Sequence, residues 1–151
     1  MDALEWRRAT AADAAAVRAL TRAAYARWVP LIGREPKPMQ ADYDRAVCEH
    51  RVDLALFDGE LAGLIETIDR PDHLLIENVA VAPAFQKRGL GRRLMAHAEQ
   101  LAAALGRAEL RLYTNARFEE NVALYRQLGY RIDREEESAL GITVHMSRRI
   151  G

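Results

Sequence analysis

A glycine-containing turn between a strand and a helix constrains this chain more than any other stretch. The turn Gln86-Lys87-Arg88-Gly89-Leu90-Gly91 follows a strand that ends at Val81 and leads into a helix. The first backbone N–H groups of a helix have no partner within it, and the helix dipole attracts anions to this end. Gly89 and Gly91 leave those groups accessible, so the turn predicts a diphosphate site. Four cationic side chains are close by in sequence: Lys87, Arg88, Arg92 and Arg93. A helix with a solvated basic face fits the glycines alone at least as well.

Two other phosphate-binding motifs do not match the chain. A dinucleotide-binding fingerprint needs a third small residue three positions after Gly91, where Leu94 stands. A P-loop needs Gly-Lys followed by Ser or Thr, and this triplet does not occur. Neither motif therefore explains the turn.

The order of elements predicts an α/β fold, with a mixed central sheet flanked by helices. Asp58-Gly59 between two apolar runs is typical of a tight hairpin turn. Strands are expected at Leu4–Arg8, Val52–Phe57, Leu61–Ile68, His73–Val81, Glu109–Thr114, Tyr130–Asp133 and Thr143–Arg149. Helices are expected at Thr10–Trp28, Tyr43–Glu49, Leu90–Leu105 and Glu119–Leu128. Hairpins in the first half and helical crossovers in the second indicate both antiparallel and parallel pairing.

Four local features give further expectations. Pro30 is expected to end the first helix, because proline opposes a helix interior. The segment Leu31 to Asp42 contains glycine and prolines and is predicted to be an irregular loop on the substrate side. Cys48 is expected to pack in the interior. Glu135 to Glu137 is interpreted as an acidic turn between the last two strands.

Length and charge indicate a single domain without a strong net electrostatic field. The chain has 151 residues, so residues 1–151 are predicted to form a single domain. Lys plus Arg and Asp plus Glu are equal at 22 each, which disfavours nucleic acid and membrane surfaces as partners. One cysteine excludes an intrachain disulfide, and no export signal or membrane span is evident, so a cytoplasmic location is expected.

Three motifs together resemble one family. They are Glu77-Asn78-Val79-Ala80-Val81-Ala82-Pro83, then the turn Gln86 to Gly91, then Asn121-Val122-Ala123-Leu124-Tyr125-Arg126-Gln127-Leu128-Gly129-Tyr130. Together with the element order, they are similar to the GNAT N-acetyltransferase superfamily, including its Gln/Arg-x-x-Gly-x-Gly/Ala signature. The resemblance is detailed from about Glu77 to Ile132 and general elsewhere, where the start at Arg8 to Asp13 has one residue fewer than the commonest spacing.

The resemblance implies acetyl-coenzyme A as co-substrate, with no metal. The pantetheine arm of acetyl-coenzyme A would pair with the strand Asn78 to Val81 as an added strand. A strand whose edge has unpaired backbone N–H and C=O groups can accept such a partner. The cofactor-binding residues implied are Val79, Ala80, Val81, Gln86, Lys87, Arg88, Gly89, Leu90, Gly91, Arg92, Asn121 and Tyr125. Asn121 is interpreted equally well as a helix cap.

The same resemblance assigns the chemistry, which is direct acetyl transfer through a tetrahedral intermediate. A backbone N–H, assigned to Val79, would stabilise the thioester oxygen as it becomes negative. Tyr125 occupies the family position of the acid that protonates the leaving thiolate. Glu77 is the preferred base, because even steps place it on the same side of the strand as Val79 and Val81. His73 and a water chain are the alternatives.

The acceptor is expected to be a primary amine of a small molecule, a protein N-terminus or a lysine, and the preferred acyl length stays open. The residues Tyr25, Trp28, Met39 and Tyr43 suggest an aromatic, partly apolar acceptor pocket, and core packing explains them equally well. The histidines His50, His97 and His145 share no metal-binding spacing. A homodimer is the commonest symmetric assembly. The rival functions are a non-catalytic acetyl-coenzyme A sensor or partner-binding module, and a nucleotide-binding module.

Overall fold

A computed structural model describes residues 4–150 as one seven-stranded mixed sheet with helices on both faces. The strands are β1 Leu4–Arg8, β2 Arg51–Phe57, β3 Glu60–Asp69, β4 Leu74–Val81, β5 Glu109–Asn115, β6 Arg131–Ser138 and β7 Gly141–Arg149. The helices are α1 Ala14–Tyr25, α2 Val29–Ile32, α3 Lys37–Gln40, α4 Tyr43–Glu49, α5 Leu90–Ala104 and α6 Glu119–Gln127. Short 3-10 turns lie at Ala11–Asp13, Ala26–Trp28 and Pro83–Phe85.

The sheet order is β1-β2-β3-β4-β5-β7-β6, which confirms the predicted mixed α/β class. Strands β1 to β4 form an antiparallel meander, while β4 and β5 run parallel. At the predicted hairpin, Asp58 and Gly59 have φ angles of 51° and 79°, as a type I′ turn needs. Thr10 and Asp13 cap the first helical turn, where the Thr10 N–H donates to the Asp13 carboxylate at 2.8 Å.

Two apolar layers hold the helices against the sheet. One lies between the sheet and α5 and contains Leu90, Leu94, Ala98, Leu110 and Met146. The other lies under α1 and α4 on the opposite face and contains Val17, Leu20, Val47, Leu54 and Leu64. Because both faces of the central strands are covered, these strands are apolar on both sides and their buried side chains are almost fully withdrawn from water.

The local expectations for the first half fail in three places. Pro30 does not end a helix but lies in the first turn of α2. Backbone N–H groups in a first turn have no partner within the helix, so a proline there costs no hydrogen bond. The segment Leu31 to Asp42 is not wholly irregular, because α3 begins at Lys37 with Pro38 in its first turn. Cys48 is exposed rather than packed, since it lies on the outer face of α4.

The acidic stretch near the C-terminus is a strand, not a turn. Glu135, Glu136 and Glu137 pair with Val144, Thr143 and Ile142 of β7. Strand β6 is the sheet edge and every residue in it is exposed, so its charged side chains stay largely hydrated. The chain reverses instead between Ser138 and Gly141.

Candidate functional site

A bulge in β4 separates it from β5 and opens the sheet. Glu66 pairs with Asn78 and Thr67 pairs with Ile76, so Glu77 has no partner on β3. On the other side, β4 pairs with β5 only from Leu74 to Ile76. From Glu77 onward the two parallel strands therefore diverge, and the edge of β4 is open toward β5.

The bulge also changes which way the side chains of β4 point. Ile76 and Val79 both pack against the layer under α5, although they are three positions apart and regular alternation would place them on opposite faces. Glu77 lies between them and lines a cavity that Val79 does not reach. The expectation that Glu77 projects from the same side as Val79 and Val81 is therefore wrong, because an extra residue breaks the alternation of the strand.

The backbone of Val79 and Val81 points into the opening. The Ala82 N–H donates to the Ala62 carbonyl at 2.8 Å, so Ala82 belongs to the hydrogen-bonded set that faces β3. Alternation then directs the N–H and C=O of Val79 and Val81 away from β3. The Val79 carbonyl accepts from the Tyr25 hydroxyl at 3.3 Å, and the Val81 carbonyl accepts from Gln86 Nε2 at 3.0 Å. The two N–H groups remain directed at the opening.

The glycine turn lies directly beyond this edge. Lys87 and Gly89 both adopt left-handed backbone conformations, with φ angles of 63° and 79°. Gly89 is the N-cap of α5, and a side chain is strained in that conformation. Residues Lys87 to Gly89 are exposed, so the first N–H groups of a fifteen-residue helix face outward. This geometry matches the predicted anion site.

A cleft of about 270 Å³ joins the turn to the open edge of β4, and we call it the turn cleft. It brings together most of the predicted cofactor residues: Val79, Ala80, Val81, Gln86, Lys87, Gly89, Leu90, Gly91, Arg92, Asn121 and Tyr125. Arg88 is the exception and does not line the cleft. Its guanidinium lies over the Phe85 ring instead, 5.6 Å from the ring centre. Trp28 also lines this cleft, not the opposite pocket as expected.

Helix α6 contributes Asn121 and Tyr125 to the turn cleft. Phe118 is the N-cap of α6, so Asn121 is not the cap that the sequence left as an alternative. The Tyr125 ring lies 6.1 Å from the Tyr130 ring, and no described residue forms a hydrogen bond with its hydroxyl. Burial raises the pKa of Tyr125 to about 12, so this hydroxyl keeps its proton at neutral pH.

A larger pocket of about 660 Å³ lies on the other side of β4, and we call it the Glu66 pocket. Tyr25 lines both cavities. The Glu66 carboxylate, with 5% of its side chain exposed, binds His50 Nδ1 at 2.7 Å. Sequence reasoning missed Glu66, and the signal for it was a carboxylate within the apolar run Leu61 to Ile68.

Glu77 lines the Glu66 pocket at the point where β4 and β5 separate. The Tyr113 hydroxyl of β5 donates to Glu77 Oε1 at 2.5 Å. Burial, together with this bond to Glu77, raises the pKa of Tyr113 well above its usual value, so Tyr113 is a proton donor here. Tyr113 therefore orients the carboxylate, and Oε2 has no partner among the described residues.

Asn78 connects the helices to the floor of the pocket. Its Nδ2 donates to Thr21 Oγ1 and to the Tyr43 hydroxyl, each at 3.3 Å. Its Oδ1 accepts from the Tyr25 hydroxyl at 3.0 Å. The Asn78 side chain thus fixes two of the tyrosines that were expected to line an acceptor pocket.

The remaining predicted pocket residues lie elsewhere. Met39 is 4% exposed and packs in the interior. His73, the alternative base, precedes β4, binds Asp72 at 2.7 Å and lines neither cavity. Tyr25 and Tyr43 line the Glu66 pocket as expected, with further aromatic and apolar residues, and charged side chains line the rest of it.

Comparison with known proteins decides the family. A model described as the Acetyltransferase (GNAT) family matches residues 15–130. This chain belongs to the GNAT acetyltransferase family. The match spans α1 to α6 and includes both the turn cleft and most of the Glu66 pocket, so the predicted resemblance is confirmed.

One curated relative of this GNAT family member is N-alpha-acetyltransferase 80 of Mus musculus. The two are 39% identical over 71 residues, which is 47% of this chain and 21% of the relative. The matched stretch is thus about a fifth of the relative's length.

Solved structures share the fold over nearly the whole chain. The PaiA N-acetyltransferase of Thermoplasma acidophilum, in complex with coenzyme A, has a TM-score of 0.84 at 16% identity and covers 98% of this chain and 99% of its own. The ribosomal-protein-S18-alanine N-acetyltransferase of Escherichia coli has a TM-score of 0.80 at 21% identity and covers 98% and 94%. At these identities the likeness establishes the fold.

Two searches of the described residues complete the survey. Between residues 4 and 150, no helix combines the length and the apolar character that crossing a membrane requires. The same part of the chain contains no cluster of three or more His, Cys, Asp and Glu side chains placed to bind a metal ion.

Proposed function

We propose that this GNAT family member transfers the acetyl group of acetyl-coenzyme A to a primary amine. The observation that carries the proposal is the opening between β4 and β5, where two cavities meet. The turn cleft leads from the N-terminus of α5 to the N–H groups of Val79 and Val81. The Glu66 pocket reaches the same point from the opposite side through Glu77 and Asn78. A donor and an acceptor entering from the two sides would meet at this opening.

The chain supplies three groups for the reaction. The Val79 N–H would donate to the thioester oxygen, whose negative charge grows during attack by the amine. Glu77 would take the proton of the attacking amine on Oε2, while Tyr113 holds Oε1. Tyr125 would give its proton to the departing sulfur. Burial raises the pKa of this tyrosine, and the same burial raises that of the thiol, so the transfer remains feasible.

The comparisons support the co-substrate. The structure of PaiA N-acetyltransferase contains coenzyme A, and a GNAT acetyltransferase of Elizabethkingia anophelis, with a TM-score of 0.72 at 18% identity, contains acetyl-coenzyme A. The exposed helix start and the open strand edge of this chain fit the diphosphate and the pantetheine amides of that molecule.

Two measurements test the proposal. Isothermal titration calorimetry should detect coenzyme A and acetyl-coenzyme A binding to the full chain, with no binding of NAD or ATP. A thiol-release assay over a panel of primary amines should then show turnover above the hydrolysis background. Binding without turnover on any amine would favour the acetyl-coenzyme A sensor, and absence of binding would exclude both functions.

Three further predictions accompany this function. A single domain and a cytoplasmic location are expected from sequence length and cysteine content, and a homodimer is one possible assembly because it is the commonest symmetric one. Analytical ultracentrifugation over a range of concentrations would test the dimer.

A further inference from the structure

Arginine neutralises about half of the carboxylates in the described chain. Ion pairs with arginine involve Asp13, Glu35, Glu49, Asp53, Asp69, Asp72, Glu99, Glu109, Glu120 and Asp133. Glu66 and Glu77 are different, because their partners are His50 and the Tyr113 hydroxyl. A tyrosine adds no positive charge, and a histidine adds one only when protonated. These two carboxylates lie in the Glu66 pocket.

The cations around this pocket do not reach its floor. Arg45 binds Glu49, and Arg34 donates to the backbone carbonyls of Glu35 and Leu140. Lys37, together with Arg134, lies near Glu136 at the mouth and lowers the pKa of that carboxyl, after the larger effect of its bond to His145. Five carboxylates line the pocket against three Arg and Lys side chains: Asp42, Glu49, Glu66, Glu77 and Glu136 against Arg34, Lys37 and Arg45. His50 and His145 also line the pocket, and an excess of negative charge remains there while these histidines are neutral.

Glu66 is placed to bind a cation near the reaction point. Glu66 of β3 pairs with Asn78 of β4, the residue after Glu77. The Glu66 side chain is 95% withdrawn from solvent, so a charge interaction here is weakly screened. Burial raises the pKa of Glu66, the bond to His50 and the charge of His50 partly oppose that increase, and the neighbouring Glu77 carboxylate adds a smaller one. A second positive charge on the acceptor would supply that compensation.

We propose that the acceptor is a small diamine, whose reacting amine lies at Glu77 while its second ammonium binds the Glu66 carboxylate. The assignment rests on the proposed acetyl transfer and defines its substrate class. The Glu66–His50 pair then acts as a recognition site for the amine that does not react. An amine with one charge would leave this carboxylate uncompensated and should bind less tightly.

The shape of the pocket favours a small acceptor over a protein segment. Its volume of about 660 Å³ is typical of small-molecule sites. Arg34, which lines the pocket, donates from the loop after α2 to the Leu140 carbonyl in the turn between β6 and β7 at 3.1 Å, so this part of the wall is tied to a second element.

Binding to the full chain without acetyl-coenzyme A tests the proposal independently of catalysis. Calorimetry would compare terminal diaminoalkanes, from diaminoethane to diaminohexane, with the alkylamine of the same carbon number. At least one diamine should bind about ten- to hundredfold more tightly than its matched alkylamine, as one charge-assisted hydrogen bond provides. Equal affinities throughout the series would overturn the proposal.

Two glutamate variants locate the effect. Glu66→Gln should remove the diamine advantage, and because glutamine can still bond to His50, its unfolding midpoint should stay near that of the parent. Glu49→Gln makes the same change in the same pocket, at a carboxylate that is 53% exposed and already paired with Arg45. It should alter diamine affinity by less than about fivefold. Retained preference in Glu66→Gln would refute the assignment.

Turnover separates this proposal from the one on which it rests. If diamines bind through Glu66 but no amine is acetylated, the proposed function fails and the diamine site stands. If monoamines are acetylated as efficiently as diamines, the function stands and the diamine assignment fails. A similar loss of kcat for both classes in Glu66→Gln would make the Glu66–His50 pair a proton relay and overturn the recognition role. Tighter binding of a peptide with an N-terminal lysine than of any diamine would also overturn it.

Discussion

The turn cleft and the Glu66 pocket share Tyr25 and strand β4, but they are built from different parts of the chain. The cleft consists mainly of one continuous stretch, from Val79 to Arg92, and its main donors are backbone N–H groups. The pocket consists of side chains from distant elements, such as His50 of α4, Glu66 of β3 and Tyr113 of β5. A backbone site can be encoded locally, whereas a side-chain site exists only after the sheet has assembled.

This difference suggests that cofactor binding and acceptor binding can be altered separately by single substitutions. Changes at the turn should affect cofactor affinity and leave acceptor binding intact. Changes on the floor of the pocket should do the reverse. Strand β4 is the shared wall, and its bulge at Glu77 turns neighbouring residues toward opposite sides.

The largest effect is expected at the turn. Gly89→Glu should weaken coenzyme A binding by about a hundredfold or more. The new carboxylate would repel the diphosphate, and two or more charge-assisted hydrogen bonds between the turn and the diphosphate would be lost. Gly106→Glu is the matched control: it lies at the other end of α5, with φ 74° against 79°, and neither glycine has an atom within 4 Å of an added Cβ. Both variants should lose similar stability, and only Gly89→Glu should lose coenzyme A binding by calorimetry. Equal affinities would refute the position of the anion site.

The next effect is expected on the pocket side of β4. Glu77→Gln should reduce kcat by about 10²- to 10⁴-fold, as for other general bases, with coenzyme A affinity unchanged. His73→Gln removes the alternative base and should retain activity, because His73 lines neither cavity. Steady-state rates at saturating acetyl-coenzyme A would check both variants. Full activity in Glu77→Gln would leave a water chain as the remaining route for the proton.

The two cavities also differ in how far the sequence predicted them. Gly89 and Gly91, taken together with the neighbouring family motifs, predict the cleft, because a helix start exposes the same N–H groups in any fold. The direction of Glu77 could not be predicted, since a bulge is set by pairing with β3 and breaks the two-residue period. The Glu66–His50 and Glu77–Tyr113 pairs join residues 16 and 36 positions apart, with no motif to connect them.

The same reasoning explains the smaller errors at the fold level. The hairpin at Asp58-Gly59 follows from local backbone chemistry and was predicted correctly. The strand through Glu135 was missed because its composition is that of a turn, and only its position at the sheet edge makes an acidic strand tolerable. Local rules therefore predict turns and helix starts better than edge strands.

A smaller effect is expected at Tyr125, within the turn cleft. Tyr125→Phe should lower kcat by at least about tenfold and change coenzyme A affinity little, because a thiolate of reference pKa about 8.5 leaves with partial help from an acid. Tyr130→Phe is the matched control, since its ring is 6.1 Å away and is not part of either cavity. Thiol release and calorimetry on the same samples would separate rate from affinity. Unchanged rates in Tyr125→Phe would remove it from the mechanism.

The smallest effects compare two asparagines, one in each cavity. Asn78→Ala leaves the hydroxyls of Thr21, Tyr25 and Tyr43 without their shared partner, so the free energy of unfolding should fall by about 1–3 kcal/mol. It should raise the KM for the amine and leave coenzyme A affinity nearly unchanged. Asn121 lines the turn cleft, and its side chain forms no hydrogen bond with a described residue. Asn121→Ala should therefore lower coenzyme A affinity several-fold, as loss of one neutral hydrogen bond would, with unfolding unchanged. Urea titration would measure the stability of both variants, and calorimetry would measure their coenzyme A affinity. If both asparagines altered stability and affinity alike, the two cavities would be one cooperative site, and their separate construction would have no functional meaning.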